Sequence, residues 1–596
     1  MREFSVPPLV EVDPSTNLTD LVVDNAVSDP HKVAFRRKVA DRWQDVTWRE
    51  FLAEVTTLAK GLIASGVQPG DRVGLMARTR YEWTLIDFAI WFAGGVTVPI
   101  YETSSAEQVQ WILGDSGAVA AFVETPHHAG VVESVRDQLP SLRHVWQIEA
   151  GGITELGETG ASVDDDTVEE RRKLAGLDDL ATIIYTSGTT GRPKGCELTH
   201  GNFVVLSKNA VARLSQVVCA EGACTLLFLP LAHVFARFIE VLCVAAGATM
   251  GHTADVKNLL EDLGTYQPTF ILSVPRVFEK VYNSSEQKAE AGGKGKIFRQ
   301  AADVAIAYSK ARDAGGPGLG LRLKHAVFDK LVYGKLRDAL GGRAQYAVSG
   351  GAPLGERLGH FFRGIGLVVL EGYGLTETTA PTAVNTPELI KIGTVGPQLP
   401  GCSVRIADDG EILLEGPHVF RGYWNNETAT KDAFDGEWFK TGDIGELDDD
   451  GYLRITGRKK EILVTAGGKN VAPAVLEDRI RAHPLVGQCM VIGDQKPFIA
   501  ALITLDPEML PTWLANHGKP SLTVAEAAED PDVRAAVQEA VDEANKAVSR
   551  AESIRKFEIL HDDFTEQSGH LTPSLKLKRN VVLKDYAESV DRLYRG

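Results

Sequence analysis

No two of the six cysteines form a C-x-x-C pair; Cys196, Cys219, Cys224, Cys243, Cys402 and Cys489 are scattered along the chain. That spacing argues against a disulfide framework or a zinc site, and for reduced thiols in a cytosolic protein. Positive charge is also short: 63 Lys and Arg stand against 80 Asp and Glu, a formal net charge of −17. Such a balance argues against nucleic acid as a partner, while a local basic cluster can still hold an anionic ligand. Long apolar runs are missing too. The start, MREFSVPPLVEVDPS, has no apolar core of signal-peptide length. The most apolar stretch, LLFLPLAHVFARFIEVLCVAAGA, is interrupted by His233, Arg237 and Glu240. A span of about 20 apolar residues is therefore not expected. The expected location is cytoplasmic, with peripheral contact at a membrane surface left open. Oligomeric state is not legible.

With 596 residues, the chain exceeds what one core accommodates, so at least two domains are expected. Hydrophobic residues at 44% and charged residues at 24% suit a globular protein. DVTWREFLAEVTTLAKGLIASG has a capping-box start at Thr47 and Glu50, apolar residues at helical spacing and a glycine stop. DRVGLMA then reads as a strand, EWTLIDFAIWFAG as a helix and VTVPIY as a strand. Such alternation predicts an α/β fold with largely parallel sheets. Residues 284–320 read as an inserted polar helical excursion. Composition shifts near residue 457, and a short α+β stretch follows. Within it Val533, Val537, Val541, Ala544 and Val548 share one helical face, which reads as packing. The domain boundary is placed at Gly457 to Lys460, giving residues 1–457 and 458–596.

YTSGTTGRPKG, Tyr185 to Gly195, follows a β-branched run, DLATIIYTS, that predicts a buried strand. In α/β folds, ligands collect at the carboxyl ends of strands. The glycines allow close approach, the hydroxyls donate to oxygens, and Lys194 supplies a compact charge suited to phosphate. The familiar G-x-x-x-x-G-K-[ST] phosphate loop is absent, because Lys194 lies between Pro193 and Gly195. The alternative is a solvated Gly/Thr loop. VSGGAPLGE and LEGYGLTETTAP are two more strands ending in glycine turns. In the latter, Tyr373 between two glycines offers a flat face with open space suited to a nucleobase. Thr376 and Glu377 place a hydroxyl beside a carboxylate, a pair suited to phosphate and Mg²⁺. WFKTGDIGELDDDGYL sets Asp443 in a Thr-Gly-Asp turn, either for ribose hydroxyls or for its own backbone.

In that order YTSGTTGRPKG, EGYGLTET, TGD and GRKKEILVTAGGKN resemble the adenylate-forming superfamily, over nearly the whole chain. PLAHVFARF, SVPRVFEKVY and the inserted helices are most similar to its long-chain fatty acid–CoA ligase branch. The resemblance implies a large N-terminal adenylate-forming domain of mixed sheets and helices, with a small mobile α+β C-terminal domain. It implies ATP-dependent activation of a fatty acid as acyl-AMP, transfer to CoA, and a requirement for Mg²⁺. By motif, Thr186, Ser187, Gly188, Thr189, Thr190 and Lys194 line the β/γ-phosphates. Glu377 with Thr186 holds Mg²⁺, and Thr376 meets the α-phosphate. Gly351, Ala352, Glu371, Gly372 and Tyr373 surround adenine, while Asp443 and Arg458 bind ribose. Lys460 is the hinge, and Gly467 and Gly468 border the thiol tunnel once the small domain turns. His233 borders the acyl site as a binding residue; a satisfied core or rim histidine is the alternative.

One departure stands out. The family carries a catalytic lysine after a glycine, whereas LTPSLKLKRN has no glycine there. Spacing assigns the role to Lys576, with Lys578 as competitor and a solvated basic tail as the alternative for either. Two rival functions remain: a fatty acyl-AMP ligase that loads a carrier-protein thiol, and a catalytically silent nucleotide-binding regulator. Amino-acid activation is disfavoured, because Cys224 to Phe238 holds no acid to pair with an ammonium. Acyl chain length is not legible.

Overall fold

The Thr47 hydroxyl accepts a hydrogen bond from the Glu50 amide at 3.3 Å, and the Glu50 carboxylate accepts one from the Thr47 amide at 2.8 Å. This capping box opens the helix Trp48–Ala64, as the sequence predicts. The structure, a computed structural model, describes residues 2–186, 192–254, 257–572 and 575–595.

Among the described residues the widest sheet has seven strands. Arg72–Met76 lies parallel to Val96–Ile100 on one side and to Ala120–Val123 on the other, with His144–Gln147 at the edge. Leu180–Thr186 continues the parallel set, but Lys194–Thr199 returns antiparallel to it and Gly422–Tyr423 joins antiparallel beyond. A second sheet sets Phe270–Ser273, Tyr346–Ser349 and Val368–Leu375 in parallel and closes with antiparallel Ala380–Val384. A third, Arg2–Ser5 with Ser403–Ile406, Glu411–Glu415, Trp438–Leu447 and Leu453–Arg458, is antiparallel throughout. The sheets are therefore mixed rather than largely parallel, because Lys194–Thr199 and Ala380–Val384 each run antiparallel to the strand that precedes them.

Residues beyond 470 build a different core. Val486–Ile492 and Ile499–Leu505 pair antiparallel, and Ile554–Ile559 adds in parallel. Side chains alternate across this sheet. Cys489, Val491, Ala501 and Ile503 face the helices Pro473–Arg481 and Pro531–Asn545, where Val533, Val537, Val541 and Ala544 are buried. Met490, Ile492, Ala500 and Leu502 face Val582 and Leu593.

The stretch 284–320 is no loose excursion. The helix Gly295–Asp313 buries Phe298, Ala301, Ala302 and Ala305 in the main core, packed on the helix Glu356–Ile365. Alanines there let the two backbones approach, which a composition reading registers only as polarity. The preceding helix, Pro275–Ala291, turns a polar face toward the C-terminal part. Its Arg276 pairs with Asp506 at 2.8 Å and donates to the carbonyls of Arg481 and Val486, each at 3.3 Å. Lys280 pairs with Glu508 at 2.7 Å, and Asn516 donates to the Gln287 side chain at 2.8 Å.

Among the described residues, the ion pairs at full burial centre on Arg237. Arg237, from the helix Val234–Ala246, donates to both Asp87 oxygens at 2.6 and 2.7 Å and to the Thr182 hydroxyl at 3.1 Å. Its guanidinium lies 5.0 Å from the Trp83 ring and 5.3 Å from the Trp91 ring. Glu240 is 3.7 Å from the same guanidinium, and burial, then the Asp87 charge, pushes its carboxyl well above the ordinary range. A neutral Glu240 leaves one anion for one cation. Arg237→Met is expected to destabilise the protein by about 3–5 kcal/mol, because Asp87 loses its partner in a dry site. Urea unfolding checks this; a midpoint equal to that of the unsubstituted chain contradicts it.

Candidate active site

The strand Leu180–Thr186 is buried from Ala181 to Tyr185, and its last residue, half-buried Thr186, pairs antiparallel with Lys194. Ser187, Gly188, Thr189 and Thr190 lie outside the described residues. The Lys194 ammonium sits 4.2 Å from the centre of the Tyr423 ring, and the Tyr423 hydroxyl donates to Glu377 Oε1 at 2.8 Å. Tyr423 thus links the lysine to the carboxylate. No motif pointed to it, since Lys194, Glu377 and Tyr423 are far apart in sequence.

Glu377 lies in the 3₁₀ turn Thr376–Thr378, directly after the strand Val368–Leu375. The chain then reverses through Thr379 and Ala380, at φ of 55° and 80°, into Ala380–Val384. Left-handed residues that are not glycine are held there by their surroundings; the Thr379 hydroxyl donates to the His418 carbonyl at 2.8 Å. This tight return explains the glycines around Tyr373. A Cβ at Gly374 would lie 1.5 Å from the Ala380 carbonyl oxygen, and one at Gly372 would lie 3.2 Å from that of Ala383. They admit the neighbouring strand, so open space beside the ring is corrected to close strand packing.

Asp443 is not in a turn. It lies within the strand Trp438–Leu447, buried, directly opposite Arg458 on Leu453–Arg458. Arg458 Nε is 3.2 Å from Asp443 Oδ1, and the Tyr373 hydroxyl donates to Oδ2 at 2.6 Å. Both oxygens face outward partners, so the carboxylate does not serve its own backbone. The local geometry that reads as a turn is Gly442, at φ 72°.

Gly351 and Ala352 lie exposed on the loop after Tyr346–Ser349. Glu371 holds that loop: its Oε1 accepts from the Leu354 amide at 2.9 Å. Burial pushes the Glu371 carboxyl up to about 7, against the downward pull of that hydrogen bond. His233 caps the helix Val234–Ala246, its Nδ1 accepting from the Phe235 amide at 3.2 Å. Burial, then the charge of Lys576, lowers its pKa to about 4, so the ring is neutral near pH 7.

That effect shows where Lys576 lies. Its backbone is fixed by the Thr572 hydroxyl, which accepts its amide at 3.1 Å, and by the Thr572 amide, which donates to its carbonyl at 2.8 Å. The side chain keeps solvent access, yet crowding by surrounding atoms lowers its pKa; Arg458 adds to this, while Glu377, Asp443 and Glu461 oppose it. Lys578 instead occupies the N-cap of the helix Arg579–Asp585 and makes no ion pair among the described residues. Leu575, before Lys576, takes φ 60°, a conformation that glycine adopts freely and leucine at a cost of about 1–2 kcal/mol.

Lys459 is anchored to Asp409 at 2.6 Å and Glu411 at 2.8 Å. Lys460 is exposed and makes no ion pair among the described residues. Gly467 and Gly468 form the exposed turn between Leu463–Val464 and Asn470–Val471. A Cβ at Gly467 would meet only Thr465 within 4 Å, and one at Gly468 nothing, so neither would touch Lys576.

The family described as AMP-binding enzyme matches residues 22–424, and its C-terminal domain matches residues 460–596. The chain belongs to this adenylate-forming family. Within it, the chain falls in the long-chain acyl-CoA synthetase branch. It is 54% identical to the long-chain-fatty-acid–CoA ligase FadD15 of Mycobacterium tuberculosis, over 100% of both chains. It is 32% identical to the ligase ACSBG2 of Xenopus laevis, over 94% of this chain and 82% of that one. In fold it resembles the anthranilate CoA ligase AuaEII solved with anthranoyl-AMP, at TM-score 0.72 and 22% identity, over 98% of this chain and 99% of that one.

The raised Glu371 carboxyl has a stability consequence. A carboxyl with a folded pKa near 7 stabilises the fold below the unfolded value near 4.5, and this is lost as pH rises through 7. Glu371→Gln keeps the acceptor for Leu354 and removes the titration. The substitution is expected to gain about 3 kcal/mol relative to the unsubstituted chain between about pH 5 and about pH 8. Denaturant unfolding at both pH values checks this; a pH-independent difference contradicts it.

Proposed function

We propose that this AMP-forming ligase activates long-chain fatty acids with ATP and passes the acyl group to CoA. The observation that carries the reading is the convergence of Lys576 with Glu377, Asp443 and Arg458, in a chain 54% identical end to end to a long-chain-fatty-acid–CoA ligase. A carboxylate is a poor electrophile, because its leaving group would be oxide. In the first step its oxygen attacks the α-phosphorus of ATP, and the bond to pyrophosphate breaks. In the second, the CoA sulfur attacks the acyl carbon, and the bond to AMP breaks.

Each residue has a role in this reading. Lys194 and the hydroxyl loop Thr186, Ser187, Gly188, Thr189 and Thr190 take the β- and γ-phosphates, and Thr376 the α-phosphate. Gly351, Ala352, Gly372 and Tyr373 frame adenine, with Glu371 holding the loop. Asp443 and Arg458 take the ribose hydroxyls. Lys576 neutralises charge between carboxylate and α-phosphate, the electrostatic help this step needs. His233 lines the acyl side in its neutral form; no base is required, since the substrate carboxylate is already ionised.

Glu377 and Thr186 would hold Mg²⁺. Among the described residues no cluster of three or more His, Cys, Asp or Glu could hold a metal by itself. One carboxylate and one hydroxyl, completed by phosphate oxygens and water, suit Mg²⁺. When bound, it supplies positive charge to the phosphate oxygens.

The second step needs a thiol where Lys576 lies, so the residues after Lys460 turn as a unit about it, bringing Gly467 and Gly468 to the thiol path. An acyl-chain series with CoA as acceptor, recording pyrophosphate, AMP and acyl-CoA, tests the function. All three products are expected, with faster turnover of long-chain acids. Pyrophosphate without thioester points to an acyl-AMP ligase serving a carrier protein. No pyrophosphate with any carboxylate points to a silent nucleotide-binding protein.

A further inference from the structure

Among the described residues, thirteen large aliphatic side chains are exposed, and four of them fall at a regular spacing of four: Leu319, Leu323, Val327 and Leu331. They are 79%, 70%, 56% and 55% exposed. The first three lie on the helix Leu319–Phe328, and Leu331 continues the line in the next turn, Asp329–Tyr333. Residues four apart share one helix face, so these side chains form one strip.

The opposite face is pinned. The His325 ring stacks on Tyr308 at 3.9 Å, and its Nε2 lies 2.6 Å from the Gly364 carbonyl oxygen. Phe328 and Val332 pack on the main core, and the Tyr333 hydroxyl donates to the Ala301 carbonyl at 2.6 Å. The inward face thus fixes the segment, and the apolar strip is what it presents outward.

Charge around the strip runs against that of the chain. Residues 292–343 carry eleven Lys and Arg against four Asp, while the whole chain has a net charge of −17. Arg322, Lys324 and Lys330 stand exposed within or beside the strip and make no ion pair among the described residues. Apolar side chains flanked by long cations match a surface with an anionic rim over hydrocarbon, where the cations reach the headgroups and the aliphatic groups go deeper. A second copy fits less well. A strip about 15 Å long and about 10 Å across gives far less than the roughly 800 Å² per partner of a stable dimer.

We propose that the outer face of Leu319–Phe328, continued by Leu331 and flanked by Arg322, Lys324 and Lys330, docks on an anionic phospholipid membrane. The proposal is independent of the acyl substrate, and its test does not read activity. The full chain is sedimented with vesicles of phosphatidylcholine and phosphatidylglycerol, and with phosphatidylcholine alone. Two variants are compared, Leu323→Ser with Leu331→Ser, and Lys324→Glu with Lys330→Glu; both alter only exposed side chains. The unsubstituted chain is expected to sediment with anionic vesicles and less with neutral ones. Each variant is expected to bind anionic vesicles at least about tenfold more weakly, at an unchanged melting temperature. A chain that stays in the supernatant with anionic vesicles overturns the proposal, as does equal sedimentation of the chain and both variants. A concentration-dependent dimer lost in Leu323→Ser with Leu331→Ser also overturns it, assigning the face to a second copy.

Discussion

The site depends on one ammonium being carried into a cleft that another part of the chain builds. Lys576 comes from beyond residue 570, while Glu377, Asp443, Arg458 and His233 come from the sheets and helices before it. A crowded cation is costly unless carboxylates face it. Glu377, Asp443 and Glu461 do so, while Arg458 opposes it. Those same carboxylates have other partners: Tyr423 for Glu377, and Tyr373 and Arg458 for Asp443. The charges are therefore set before any ligand arrives, and an anionic ligand between Lys576 and Arg458 relieves their mutual repulsion.

Magnitudes separate two kinds of contact. The Asp87–Arg237 pair, fully buried between two indoles, ties the helix that His233 caps to the strand that ends at Thr186. Breaking such a pair costs about 3–5 kcal/mol. The contacts holding the C-terminal part are polar and graded: half-buried Arg276 pairs with buried Asp506 at 2.8 Å. Lys280–Glu508 is exposed on both sides, and pairs of this sort contribute about 0–1 kcal/mol. A firm scaffold with a polar interface suits the turning proposed for the C-terminal unit. Lys459, tied to Asp409 and Glu411, ends the anchored chain, and Lys460 is the first residue without such ties.

Local chemistry carried most of what the sequence made legible. The Thr47–Glu50 capping box, the buried strand before Thr186 and the valine stripe of Pro531–Asn545 depend on near neighbours and form as read, except that Val548 lies beyond the helix end and is only half-buried. The readings that needed correction depend on distant partners. Asp443 looked like a turn residue because Gly442 bends the strand, and its partner Arg458 becomes visible only once two strands pair. The glycines around Tyr373 answer to the carbonyls of Ala380 and Ala383 across a hairpin. Tyr423 left no signal, since its value lies in bridging Lys194 and Glu377. The missing glycine before Lys576 became interpretable through the backbone: Leu575 adopts the left-handed conformation itself.

The most direct test compares the two half-reactions in Lys576→Ala. Acyl-AMP formation, followed as pyrophosphate release, is expected to fall by about 10²–10³-fold, the loss typical of removing one charge-stabilising group. Thioester formation from supplied acyl-AMP and CoA is expected to stay near the rate of the unsubstituted chain, because the role proposed for the lysine is confined to the first step. Equal loss of both half-reactions in a folded variant contradicts the account, as does unimpaired adenylation.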